Sequence, residues 1–348
     1  MIDEIPQVHV FERGNYNSPG SPVDPAGFAV LESGTKLPPL ANDRANNTAV
    51  GRGSGRRLAF ARWLTEPDSK RASLVARVHV NRLWQHLFGT GIVATADNFG
   101  LSGAVPSHPE LLDWLATESL RSDWSTKNSL RQIVGSSAYR QSSLTQETSP
   151  ADPRWRSDAD CRRLSRFPIR RLDAEAIRDG LLASSGDLDD RLYGPYIPTT
   201  RTGQGETIVP EDHPGVRRRS LYLQQRRTQV HSLLQVFDAP SIVFNSTRRP
   251  RSTMPLQSLS LLNSEFVVAR SIHLAQRLEQ WNATDTARQI ELFRRTTGHP
   301  PTDSDLELIK EFLEKQRKEY GETSEGRTRA WSELCQILLI GNSALYLE

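Results

Sequence analysis

Residues 73–89 read SLVARVHVNRLWQHLFG, an amphipathic stretch that ends at a glycine. Its apolar residues recur at the three- and four-residue intervals of one helix face. Gly89 stands where a left-handed residue commonly closes a helix. The stretch therefore predicts a helix over about residues 73–88 that packs along its apolar side chains, namely Leu74, Val75, Val78, Leu83, Trp84 and Leu87.

Helical patterns continue on both sides of this stretch. One helix is expected to begin at Arg56, and another to run over about residues 126–138. Because the connections between these helices are short, residues 56–145 predict one compact helical subdomain.

The start of a helix near residue 107 is also marked in the sequence. Ser107 and Glu110 have the spacing of a capping box, in which Ser107 is the N-cap and Glu110 reaches back to it. The apolar stripe that follows includes Trp114. If Trp114 is a core residue, its replacement by alanine is expected to cost roughly 3–5 kcal/mol.

The two ends of the chain differ in composition. Residues 1–55 are rich in Gly, Pro, Asn and Ser and predict an extended arm with one short strand, Val8–Phe11. Residues 146–348 predict a second helical region with long loops. Its expected elements are a helix from Asp173 to Gly186, a long loop over 194–215, a strand over 219–223, a long helix after Pro255, and helices over about 284–297, 302–321 and 326–340.

The fold class that follows is mainly α, with multi-helical subdomains, a few short strands and long polar loops. The chain has 348 residues, enough to bury a sizeable core in two or three units. Mean hydropathy is −0.53, which is polar, yet seven Trp and eleven Phe supply large apolar side chains.

Charge and cysteine content exclude several classes of protein. Lys and Arg number 44 and Asp and Glu 41, so the net charge of +3 gives no reason to expect nucleic acid as a partner. Cys161 and Cys335 lack the spacing of zinc, iron–sulfur or c-type haem sites, and no cofactor is expected within the chain. No stretch is long and apolar enough for a membrane span, and no signal peptide is evident.

One polar cluster is predicted around the helix over residues 73–88. Arg77, Asn81 and Trp84 share a face of that helix. They are candidate binding residues, and the alternative is a buried polar network that locks the following loop between two helices. The candidate catalytic residues nearby are His86, Asp97 and His108.

Arginines form a second group of candidates. Arg170 and Arg171 precede a helix start, and Arg248 and Arg251 lie in a basic loop before another. Guanidinium groups so placed are able to bind a carboxylate, sulfate or phosphate. The alternative is that neighbouring carboxylates, including Asp173, take these donors in ion pairs.

Several of these motifs together resemble the family known as domain of unknown function 1553. The resemblance spans nearly the whole chain and is carried by Arg77–Gly89, Asn98–Gly100, Pro106–Ala116, Ser137–Ser143, Arg170–Asp179 and Pro255–Ser264. The chain departs from the family pattern at Asp97-Asn98, where Asn-Asp is expected before Phe-Gly.

The resemblance implies a setting more than a mechanism. Relatives are typically long exported or cell-surface proteins of planctomycetes and related bacteria, and a cytochrome-c-like domain precedes this region in them. The resemblance thus implies an exported protein and that upstream domain as a partner in longer relatives. We expect a non-catalytic binding or scaffolding module for an anionic or polysaccharide ligand. The alternative is a hydrolase-like enzyme acting on polysaccharide or another extracellular polymer.

Overall fold

A computed structural model describes residues 7–24, 26–28, 30–31, 56–143, 157–243 and 245–347. This part of the chain is mainly helical with a few short strands, which confirms the predicted fold class. It falls into two compact units. The first has the bounds Met1–Gln141 with Glu147–Phe167, and the second Ser142–Gln146 with Pro168–Glu348.

The first unit begins with a short antiparallel pair of strands. β1 (Val8–Phe11) is the predicted strand, and it pairs with β2 (Pro19–Val23) across a turn. The other parts of the predicted arm, residues 1–6 and 32–55 with Pro25 and Ala29, lie outside the described residues.

The helices of the first unit follow the predicted order. They are α1 (Arg56–Leu64), α2 (Lys70–Phe88), α3 (Pro109–Arg121) and α4 (Thr126–Gly135). α2 begins at Ser69, whose hydroxyl accepts a hydrogen bond from the Ala72 N–H at 3.1 Å. It ends at Gly89, whose φ of 84° is left-handed as predicted. α2 packs chiefly on α3, and α4 contacts both.

The core of the first unit lies between α2 and α3 and the loop that joins them. Trp84 stacks on Phe88 within α2, with ring centroids 4.2 Å apart. The buried face of α2 is turned from the predicted one, because Ala76, Val80 and Phe88 are buried with Trp84, whereas Leu74 is exposed. The buried apolar residues of this core are Ala76, Val80, Trp84, Phe88, Ile92, Val93, Leu112, Leu115, Ala116, Ile133 and Phe167.

Two predictions about α3 are wrong. Ser107 is not the N-cap, because its hydroxyl donates to the Ile92 carbonyl at 3.3 Å. The residue before the helix is His108, which makes no side-chain cap bond. Glu110 is exposed. Trp114 is 52% exposed. It lies beside the buried face, so its replacement by alanine is expected to cost less than about 1 kcal/mol.

The second unit is built from longer helices. They are α5 (Ala174–Ser185), α6 (Ser232–Val236), α7 (Pro255–Asn263), α8 (Glu265–Gln280), α9 (Asp285–Thr297), α10 (Asp303–Tyr320), α11 (Ser324–Ile340) and α12 (Asn342–Leu345). Its short strands are β3 (Arg170–Arg171), β4 (Thr200–Arg201), β5 (Thr207–Ile208) and β6 (Tyr346–Leu347). β3 pairs with β6 and β4 with β5, both antiparallel.

Most helix boundaries of the second unit agree with the sequence. α5 closes at Gly186 with a left-handed φ of 75°, as predicted. α9, α10 and α11 occupy the three predicted C-terminal helices. The single long helix expected after Pro255 is instead two, because the backbone is extended at Ser264 between α7 and α8.

Two segments of the second unit differ from their predictions. The segment 194–215 is not a bare surface loop, because it contains β4 and β5 and buries Ile197 and Val209. The predicted strand over 219–223 is a turn of 3-10 helix, Ser220–Tyr222. Leu223 is buried, and its neighbour Gln224 donates its N–H to the Ile197 carbonyl, so the two segments support each other.

The core of the second unit surrounds α8, which packs most extensively on α11. Trp331 of α11 is fully buried in it. Cys161 of the first unit and Cys335 of the second are both buried free thiols. Within the described ranges, no helix is long and apolar enough to cross a membrane.

Candidate functional site

The polar cluster predicted on α2 is largely a buried support for the loop that follows it. Asn81 is fully buried, its Nδ2 donates to the Val93 carbonyl at 3.0 Å, and its Oδ1 accepts the Val93 N–H at 2.8 Å. Trp84 is buried in the core, and Arg77 Nε donates to Asp113 at 2.6 Å. Of the two alternatives left open for Asn81, these contacts favour the structural one.

Replacing Asn81 with leucine is expected to lower the free energy of unfolding of the first unit by about 2–3 kcal/mol, because a buried N–H and carbonyl of Val93 lose their partners. Urea unfolding followed by circular dichroism measures the change. Arg82→Ala, at the exposed neighbouring position of α2, is the control and should stay within about 0.5 kcal/mol. Equal stability of the two variants would contradict this role.

The three candidate catalytic residues of the first unit lie on different elements. His86 is exposed in the last turn of α2, and Asp97 is exposed in the loop after it. His108 is half-buried before α3, and its Nδ1 lies 3.0 Å from the Ser107 hydroxyl. Their catalytic role stays a prediction.

Arg171 is buried among backbone and carboxylate acceptors. Its guanidinium donates to the Ser252 carbonyl at 2.6 Å, the Phe237 carbonyl at 3.1 Å and the Asp238 carboxylate at 2.8 Å. Burial by itself raises the pKa of Asp238, but the Ser252 and Arg171 donors hold it below its ordinary value. Arg171 therefore fixes β3 to the segment that precedes α7.

The basic loop before α7 is also matched by carboxylates. Arg251 lies 3.6 Å from Asp173, and Arg249 lies 2.5 Å from Glu175. Arg248 is exposed and Arg170 is half-buried. The sequence left open whether neighbouring carboxylates take the guanidinium donors of Arg251. The distance to Asp173 favours that alternative.

A different set of polar side chains converges on α8. Arg270 is almost fully buried; its Nε lies 3.1 Å from Asp187, and its Nη2 forms an ion pair with Glu211. His273, one turn along α8, has its Nδ1 2.8 Å from the same Asp187 carboxylate. We call Asp187, Glu211, Arg270 and His273 the Arg270 cluster.

Burial and charge act against each other in this cluster. Burial raises the pKa of Glu211, while the charge of Arg270 and its hydrogen bond to Glu211 oppose the rise. Burial also lowers the pKa of Arg178 to about 10. The guanidinium groups of Arg178 and Arg270 each lie 4.9 Å from the Phe266 ring. Arg178 donates from Nη1 and Nη2 to backbone carbonyls, and Arg270 pairs with two carboxylates, which offsets the repulsion between the two like charges.

A groove of about 400 Å³ opens between α8 and α9. Trp281 forms part of its wall and is 46% exposed. Arg277 donates to the Gly186 carbonyl at 3.2 Å, and Arg295 donates to Glu291 at 2.7 Å. We call it the Trp281 groove; its lining residues are Leu274, Arg277, Leu278, Trp281, Glu291 and Arg295.

The Arg270 cluster and the Trp281 groove lie next to each other. His273 and Arg277 are four residues apart on one side of α8, and Trp281 follows directly after the last residue of that helix. Arg277 also contacts Gly186, the residue before Asp187. The second unit thus places a histidine and a guanidinium on one side of α8 and an indole just beyond its C-terminal end.

This site is not among the sites predicted from the sequence, although one signal was present. Arg270 lies three residues after Val267 and four before Leu274, which places an arginine on the apolar face of α8. A charged residue in a core position needs a buried partner. The partners, Asp187 and Glu211, come from distant loops that no periodic pattern marks.

The described residues contain no group of three or more His, Cys, Asp or Glu side chains placed to hold a metal ion. No curated protein and no solved structure matches the chain. A family model does match, described as PSD1, protein of unknown function (DUF1553), and it covers residues 56–313. That range includes α1 to α9 and every residue of the cluster and the groove. The chain therefore belongs to this DUF1553 family.

Proposed function

We propose that the chain is a binding module for an acidic polysaccharide and that the Trp281 groove receives one of its sugar rings. The observation that carries the proposal is an indole 46% exposed beside a guanidinium, above an apolar floor. Leu274 and Leu278 form that floor and are buried. Sites for small ligands commonly combine such apolar surfaces with a few placed polar groups.

The chemistry of the groove favours an anionic sugar over a neutral one. The flat apolar face of a sugar ring suits the exposed indole of Trp281. Arg277 donates one hydrogen bond to a backbone carbonyl, and a guanidinium has five N–H donors, so donors remain for a carboxylate. Glu291, which pairs with Arg295, supplies an acceptor for sugar hydroxyls. A ligand of this class fits an exported or cell-surface protein, which is the location we propose.

Binding of polygalacturonate to the full chain, followed by isothermal titration calorimetry, tests the proposal. Trp281→Ala is expected to weaken binding roughly 5- to 30-fold, because it removes an anchor worth about 1–2 kcal/mol. Arg277→Ala should weaken it similarly, and added salt should weaken binding to the wild type.

The matched control is Trp114→Ala, which removes an equally exposed tryptophan far along the chain and should leave affinity unchanged. Dextran, which is neutral, should bind more weakly than polygalacturonate. Equal affinity of the Trp281→Ala variant and the wild type, or equal binding of the two polymers, would contradict the proposal.

A further inference from the structure

We infer that His273 is the general base of a carboxylic-ester hydrolase site at the end of the Trp281 groove. Its natural substrate would be an acyl ester carried by the bound glycan, and in that respect the inference rests on the proposed function. The hydrolytic chemistry itself does not, because a small aryl ester reaches the same histidine without any glycan.

The first support is the orientation of the imidazole. His273 Nδ1 lies 2.8 Å from Asp187 Oδ2, and a carboxylate accepts, so Nδ1 carries the proton. The lone pair of the neutral ring is then on Nε2, which no described residue hydrogen-bonds. The side chain is 33% exposed, so solvent reaches it. A histidine held by a carboxylate with its other nitrogen open is arranged as a general base.

The second support is the setting of Asp187. Its side chain is 9% exposed and lies 3.1 Å from the Nε of Arg270, which is deeper still. The Ser185 hydroxyl donates to it at 3.4 Å. The bond from His273 joins a solvent-open imidazole to a carboxylate whose ion pair with Arg270 is shared with Glu211. Its effect is to fix the tautomer and to stabilise the imidazolium that a base becomes.

The third support is the neighbour one turn along the helix. Arg277 follows His273 at four residues on α8, and its guanidinium is exposed toward the groove. A positive group beside the base is placed to stabilise the oxyanion of a tetrahedral intermediate. Trp281, four residues further, would hold the ring that carries the ester.

The reaction balances with water as the nucleophile. His273 Nε2 takes a proton from water while the water oxygen forms a bond to the acyl carbon. The carbonyl electrons move to oxygen, giving the oxyanion near Arg277. When the oxyanion collapses, the ester C–O bond breaks and the imidazolium gives its proton to the leaving alkoxide. The products are a carboxylic acid and an alcohol, and no oxidant, metal or cofactor is consumed.

An ester suits the cluster better than a glycosidic bond does. Glycosidic cleavage generally uses two carboxylic groups on opposite sides of the bond. Here Asp187 and Glu211 both face Arg270, and Asp187 also holds His273. Neither carboxylate is left to act across a sugar ring from the other.

Hydrolysis of p-nitrophenyl acetate by the full chain is the first experiment. His273→Asn should lower kcat/KM by at least about 100-fold, because a positioned general base contributes that much or more. Asp187→Asn should also lower it and should shift the pH profile, since it disturbs the tautomer of the base. His273→Ala should regain part of its activity when free imidazole is added. His299→Ala, at an exposed histidine of the same unit, should match the wild type.

The outcomes separate this inference from the proposed binding function. Hydrolysis of p-nitrophenyl acetate reports on His273 without any glycan, whereas deacetylation of acetylated pectin also requires the groove. If the wild type hydrolyses the aryl ester no faster than an equal concentration of imidazole, the inference is overturned, whatever the binding data show. It is also overturned if His108→Ala abolishes hydrolysis while a folded His273→Asn variant retains it.

Discussion

Replacing Arg270 with methionine is expected to lower the free energy of unfolding of the second unit by about 3–5 kcal/mol, because removal of one member of a buried ion pair leaves a buried charge uncompensated. The guanidinium lies at the centre of the Arg270 cluster and contacts carboxylates from two separate loops. Methionine fills much of the volume of the arginine side chain. The loss of stability therefore measures the missing charge more than the cost of a cavity.

Urea unfolding followed by circular dichroism measures the effect. Arg277→Met, two turns along α8 and exposed, is the control and should change stability by less than about 1 kcal/mol. The double variant Arg270→Met with Glu211→Gln should recover part of the loss, because it also removes one of the two carboxylate charges that Arg270 paired. Equal stability of the two single variants would show that the cluster does not hold the unit together.

The sequence predicted the helices well because their ends are encoded locally. Gly89 and Gly186 close α2 and α5 in left-handed conformations, and Thr302 caps α10 by accepting the Asp305 N–H at 3.2 Å. Such signals involve residues a few positions apart. They need no knowledge of what the helix packs against, so a single chain is enough to find them.

The same reasoning failed where a helix has more apolar residues than its buried face requires. On α3 the residues Leu112, Leu115 and Ala116 face the core, and Trp114 falls beside them in solvent. The sequence predicted one buried apolar stripe that included the tryptophan. Which side of an apolar helix is buried depends on its neighbour, and that information lies elsewhere in the chain.

The candidate site depended most on distant contacts. Arg270 is paired with residues 83 and 59 positions earlier in the chain, and the irregular segment that supplies them contains no periodic pattern. By contrast, Arg171 and Arg251 were conspicuous as clustered charges, and both are paired with carboxylates. Clustered arginines in this sequence therefore mark internal ion pairs more than an open anion site.

Replacing Trp331 with alanine is expected to cost about 3–5 kcal/mol of unfolding free energy, the range typical of a large aromatic side chain removed from a core. Trp331 has 0% exposure on α11, at the centre of the second unit's core. Trp281→Ala, in the same unit at 46% exposure, is the matched control and should cost less than about 1 kcal/mol.

A conservative variant separates packing from hydrogen bonding at this position. The indole Nε1 of Trp331 is buried, and within the described part of the chain it has no hydrogen-bond partner. Trp331→Phe therefore removes an unsatisfied donor as well as some volume, and it should cost less than about half of what alanine costs. Thermal and urea unfolding rank Trp331→Ala, Trp331→Phe and Trp281→Ala by their loss of stability. If phenylalanine is as damaging as alanine, the Nε1 atom makes a bond that the core requires, and packing alone does not explain why Trp331 is buried.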